Sequence, residues 1–180
     1  MKKLLLTLAA IAACGMASAS TVLWTVEAKA FGTSDGSAER AENYFVTVFL
    51  YSDYADVMDA VATLGTAPES SIETINGLAQ STGKTAKTGK AAGSFTSSEP
   101  SITTVQLFSI AWDAASIADA THYNLSSQVS SDAYSAPDNP TNVGSFGSSS
   151  YSGGWKTIPE PSVALMGLLG LGMLLKRRRA

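Results

Sequence analysis

The chain of 180 residues has room for one domain of ordinary size. Its 12 Lys+Arg and 15 Asp+Glu give −3 overall, yet residues 20–158 hold only six basic against fourteen acidic residues, net −8, which excludes the cationic surface that nucleic acid requires. The single cysteine, Cys14, excludes a disulfide scaffold and a cysteine zinc site, and the single histidine, His122, excludes any centre built on two imidazoles.

The N-terminus reads Met1-Lys2-Lys3, then an almost wholly apolar run over residues 4–13, then Ala17-Ser18-Ala19. A positive start, a short apolar stretch and a small-x-small site form a secretory signal peptide over residues 1–19, with Ala17 and Ala19 at the signal peptidase site and Ser20 as the mature N-terminus. The secretion machinery and signal peptidase are the partners this implies. Ile11-Ala12-Ala13-Cys14 offers a competing reading as a lipobox, in which Cys14 would be acylated. An acyl anchor there would duplicate the device at the other end of the chain.

Beyond the leader, Val22, Trp24, Val26, Ala28 and Ala30 alternate with Leu23, Thr25, Glu27 and Lys29, which predicts a half-buried strand. Residues 32–36 close it in a loop. Residues 44–51 (YFVTVFLY) are aromatic and β-branched on both faces and predict a central strand covered on both sides. Ser52 is placed to cap a helix, with Asp53 and Asp56 in its first turns and Val57, Val61 and Leu64 along one side, ending at Gly65. Pro68 opens a second short helix through Ile72, Ile75 and Leu78. Residues 81–101, rich in Gly, Ser, Thr and Lys, predict a mobile loop, and residues 103–112 (TTVQLFSIAW) a core strand. A helical turn is expected over 115–120 and a further strand over 121–129. Residues 130–156 are mostly Ser, Gly, Asn and Pro and predict a flexible stalk. The expected fold is mainly β: a small β-sandwich-like domain over 20–129 with one or two short inserted helices, then the stalk.

The last segment, residues 157–180, carries the clearest signal. Ser162 opens fourteen residues without a charge (SVALMGLLGLGMLL, 162–175), about 21 Å as a helix, against a hydrocarbon core of about 30 Å. Lys176, Arg177, Arg178 and Arg179 follow as a stop that stays on the cytoplasmic side. Before the apolar run, Pro159 and Pro161 lack N–H donors and bias Ile158 and Glu160 toward extended backbone. Pro161 suits the first turn of the following helix, and Glu160 suits its positive dipole end. A Pro-Glu-Pro motif, a short apolar transmembrane helix and an Arg cluster, in that order, resemble the PEP-CTERM sorting signal. The resemblance implies that Pro159, Glu160 and Pro161 are recognised by exosortase, a membrane-embedded processing enzyme, so that this chain is a substrate and not an enzyme. It also implies a bacterial envelope protein, anchored in the inner membrane as a precursor and then released to the cell surface or outside, in association with exopolysaccharide or biofilm matrix.

Several stretches in the middle of the chain imitate known chemical motifs. Gly32-Thr33-Ser34-Asp35-Gly36 matches the nucleophile-elbow pattern, and Asp113 or Asp119 followed by His122 would complete a serine–acid–histidine order. That pattern needs a strained strand-to-helix turn in a parallel sheet, which this sequence does not predict. Gly83-Lys84-Thr85 imitates the end of a phosphate loop, but Leu78 stands where the first glycine belongs. Lys84, Lys87 and Lys90 read as a solvated basic loop. Asp53, Asp56 and Asp59 recur at every third position, the spacing of helix N-terminal charge and not of a calcium loop. Asn124-Leu125-Ser126 fits a glycosylation sequon. No cofactor, metal or catalytic residue is expected. The leading function is structural or matrix-associated; the alternatives are a secreted glycan-binding module that stacks sugars on exposed Trp and Tyr, and a small serine hydrolase centred on Ser34.

Overall fold

The computed structural model describes residues 19–98, 100, 103–135 and 137–159. The expected signal peptide up to Ser18, with Ala17 and the lipobox at Cys14, and Glu160, Pro161, the apolar tail and Lys176 to Arg179 lie outside the described residues. Among the described residues, no helix is long and apolar enough to cross a membrane.

The architecture is mainly β with one helical hairpin. The elements are β1 (Ser20–Val26), β2 (Phe45–Leu50), a 3-10 turn (Tyr51–Asp53), α1 (Tyr54–Thr63), α2 (Pro68–Leu78), β3 (Ser81–Lys84), β4 (Ala91–Ser97), β5 (Thr103–Trp112), β6 (His122–Leu125), β7 (Val129–Tyr134), β8 (Gly144–Phe146) and β9 (Trp155–Thr157). The sheet runs β3-β2-β5-β7-β1-β4, with β6 on β5, β9 on β6 and β8 on β1. The expectation of two facing sheets is therefore corrected: the strands form one sheet that curls on itself. Its terminal strands β3 and β4 are consecutive in the chain, and the Ser81 hydroxyl reaches across to the Ser94 carbonyl at 3.2 Å.

Two strands carry the design because their sequences alternate between two apolar faces. Val46 and Val48 of β2, with Val105, Leu107 and Ala111 of β5, point into the curl against Val22, Trp24 and Val26. Phe49 of β2 and Phe108, Ile110 and Trp112 of β5 point outward, where Val57, Val61, Leu64 and Ile75 of the helical hairpin cover them. The Trp112 indole N–H donates to the Thr47 hydroxyl at 3.1 Å, so the one polar side chain on that face of β2 is satisfied.

Six local expectations are corrected. β1 stops at Val26, since Lys29 adopts a left-handed φ of 62° and the Ala30 N–H turns back to Glu27. Ser52 does not cap α1; its hydroxyl donates to Asp53 Oδ1 at 3.1 Å, and a 3-10 turn leads into the helix. Residues 81–101 are not simply a loop, because they contain β3 and β4. The small residues there make room for an indole: a Cβ on Gly83 or Gly93 would come within 2.8 Å of the buried Trp24 ring. Residues 130–156 are not a stalk either. β7 runs between β5 and β1, β8 pairs in parallel with β1, and β9 pairs with β6. Ser131, Ala133, Phe146 and Tyr151 are buried, with the Ser131 hydroxyl bonded to the Leu23 carbonyl at 2.8 Å and Tyr151 Oη 2.7 Å from Ser109 Oγ. The expected strand over 121–129 is divided between β6 and the start of β7, and residues 115–120 form bends and a turn, not a helical turn.

Candidate functional site

β5 ends at Trp112, and the chain turns through residues 113–121 into β6. Asp113, the first residue of that turn, gathers its donors. Its Oδ1 accepts the main-chain N–H of Thr121 and of His122, each at 2.8 Å. Its Oδ2 accepts the Thr121 hydroxyl at 2.8 Å and the Ser34 hydroxyl at 3.1 Å, and lies 2.9 Å from Nδ1 of His122. The Asp113 side chain is 7% exposed and the imidazole 35%. Burial alone would raise the Asp113 carboxyl. The His122 N–H, the Thr121 hydroxyl, the His122 ring and the Thr121 N–H outweigh it and hold the group below its ordinary 3.8.

The arrangement brings Ser34, Asp113 and His122 together, as the motif order suggested, but with the carboxylate in the middle. Ser34 donates to the carboxylate and makes no hydrogen bond to the imidazole, so the serine–histidine contact of a triad is not formed. Its neighbours also differ from an elbow: the Thr33 N–H donates to the Ala38 carbonyl at 3.0 Å and the Ser37 N–H to Asp35 Oδ1 at 3.0 Å, which is a side-chain-braced turn. Asp119 stands apart and accepts the Ser116 hydroxyl at 2.7 Å. What the cluster does chemically is orient the imidazole: with the Nδ1 proton directed to Asp113, Nε2 is the open nitrogen.

That imidazole borders a cleft of ≈ 330 Å³ lined by Leu64, Pro68, Ile72, Ile117, Ala118, Ala120, Thr121, His122, Thr157, Ile158 and Pro159. Pro159, the first residue of the Pro-Glu-Pro sequence, is thus a wall of the cleft. β9 brings it there through His122↔Thr157 pairing, and the Ile158 N–H donates to the Thr121 carbonyl at 2.8 Å. Ile158 packs with the outer apolar cluster. The Pro159 carbonyl lies so close over Gly65 that a Cβ at position 65 would overlap it. Gly65 and Thr121 are the site residues that sequence reasoning missed; the only signal was a glycine between two helices, read as a terminator.

The remaining sequence candidates fall elsewhere. Gly83 and Lys84 end β3 and Thr85 follows it, its N–H donating to the Tyr44 carbonyl at 2.9 Å and its hydroxyl accepting the Tyr44 N–H at 3.0 Å; this is strand pairing and not a phosphate loop. Lys84, Lys87 and Lys90 are exposed. Asp56 and Asp59 border an open groove of ≈ 460 Å³ between α1 and α2, and Asp53 takes the Ser52 hydroxyl. Among the described residues, no group of three or more His, Cys, Asp or Glu could hold a metal ion. Asn124 is 2% exposed, so its sequon is closed in the folded domain. Of the aromatic faces that sugar stacking would need, Trp24 and Trp112 are buried, and Trp155 is pinned edge-on between Phe31 and Tyr44. Tyr51, at 40%, is the exposed large hydrophobic residue among those described.

No protein-family model, curated protein or solved structure matches the chain.

Proposed function

We propose that this is an exported bacterial envelope protein, sorted by an exosortase-type enzyme through residues 157–180, whose β domain is a structural or matrix-associated cargo. The observation that carries the reading is the order of the tail: Pro159-Glu160-Pro161, fourteen uncharged residues, then Lys176, Arg177, Arg178 and Arg179. Fourteen apolar residues make a weak permanent span, whereas a proline-stiffened segment just before them is a good processing target. The serine–carboxylate–imidazole order favours cargo over catalyst, since Ser34 donates to Asp113 and makes no hydrogen bond to the His122 imidazole.

The test is a membrane-fraction blot of two variants beside wild type. Replacing Pro159, Glu160 and Pro161 with alanine leaves the tail's hydrophobicity almost unchanged, and the precursor is expected to stay membrane-bound and full-length. Deleting Lys176 to Arg179 removes the positive stop, and retention of the precursor is expected to fall. Maturation of the triple-alanine protein at the wild-type size and rate would overturn the reading.

A further inference from the structure

We infer that the folded domain seats the N-terminal flank of its own sorting motif, and that release from this seat governs how fast the motif is processed; the inference rests on the sorting reading above. A processing enzyme takes its substrate as an extended chain whose main-chain N–H and C=O groups are free to pair with the enzyme. The groups just before Glu160 are already engaged. Thr157 is in register with His122, and the Ile158 N–H is spent on the Thr121 carbonyl at 2.8 Å. The Ile158 side chain is buried in part among the residues under the helical hairpin. Pro159 then closes onto Gly65, where hydrogen is the only side chain that fits.

The seat is an independent contact and not a by-product of the motif. Proline supplies no N–H, so the motif contributes only its carbonyl and ring; the hydrogen bond and the apolar burial come from Thr157 and Ile158, which lie outside it. The fold thus competes with the enzyme for the same stretch of backbone. The enzyme's apparent affinity is lowered by the fraction of time the flank is undocked.

The test is a pulse–chase of the full-length precursor in a host that carries an exosortase. A short Gly/Ser linker inserted between Ile158 and Pro159 leaves the domain and β9 intact and frees the motif. Gly65→Val expels Pro159 from its place. Both are expected to mature roughly tenfold faster than wild type, the gain given by freeing a motif that is docked about nine-tenths of the time. Amide exchange at Ile158 should be slow in the wild-type protein and fast in Gly65→Val, a readout independent of the enzyme. A linker variant that matures no faster than wild type overturns the seat, whether or not Gly65→Val folds. The two failures separate: with the seat wrong, the triple-alanine block still holds. A triple-alanine precursor that matures normally overturns the sorting reading and, with it, the seat's regulatory role.

Discussion

Three carboxylates, Asp35, Asp113 and Asp132, each fasten a turn by accepting nearby N–H and hydroxyl groups. Asp35 is brought down to about 2 by the Ser37 N–H and the Thr33 and Ser37 hydroxyls. Asp132 is held low first by the Thr141 hydroxyl, against its desolvation, with help from the N–H groups of Asn142 and Thr141. Each group is a stronger acid folded than unfolded, so the unfolded chain binds protons first as pH falls. The stabilisation is complete above the ordinary carboxyl value of 3.8 and drains away from there down through the folded-state values, toward about 2 for Asp35. The melting midpoint should therefore drop steeply below about pH 4. Asp113→Asn should cost about 1–3 kcal/mol at neutral pH, because it leaves charge-assisted donors with a weaker partner or none. Its deficit against wild type should shrink as acid protonates the native carboxyl; a deficit that stayed constant across pH would exclude this account. Ser34 and His122 were legible in the sequence as candidates, with Asp113 and Asp119 as alternatives for the acid. Which atom of the set faces which was not, because spacing along a chain does not fix the side on which a carboxylate turns.

Elements were legible where apolar side chains made them and illegible where small ones did. β2 and β5 announce themselves through runs of aromatic and β-branched residues, and the helical hairpin through Val57, Val61, Leu64 and Ile75 on one side. β3, β4, β7 and β8 are rich in Ser, Gly and Ala, a composition shared with loops, and β9 is only three residues long. Their small residues are packing devices. Trp24 stands opposite Gly93 in the β1–β4 register, and its ring also lies over Gly83, so the two terminal strands of the sheet meet across one indole. Gly93→Ala would place a methyl within 2.8–2.9 Å of three atoms of that ring. The strand cannot retreat without breaking its ladder, and the expected cost is about 1–3 kcal/mol, read as a lower urea midpoint with unchanged slope. Because Trp24 is 1% exposed, its emission should also shift if the indole is displaced. An unchanged midpoint would mean that the curl is looser than this contact implies.

At the scale of the whole molecule, β7 decides what counts as the folding unit. It is the strand that joins β5 to β1, so a chain ended at residue 129 is cut into a β3-β2-β5 piece and a β1-β4 piece. It also loses Ala133, Phe146 and Tyr151 from the interior. Residues 20–129 alone should fail to melt cooperatively, whereas residues 20–159 should give a single transition. Circular dichroism on the two fragments decides between them, and a cooperative melt of the shorter one would show that the sheet can do without its central link. The place of β9 in the fold also changes the mechanics of the proposed precursor. A free stalk of 27 residues (130–156) would behave as a coil reaching about 30 Å. With β9 inside the fold, only Glu160 and Pro161 separate Pro159 from the apolar run, a leash of about 10 Å. If that run inserts in the bilayer, the domain cannot swing free of the lipid headgroups until the leash is cut. Cutting it converts a bead confined to a surface into one that diffuses in three dimensions.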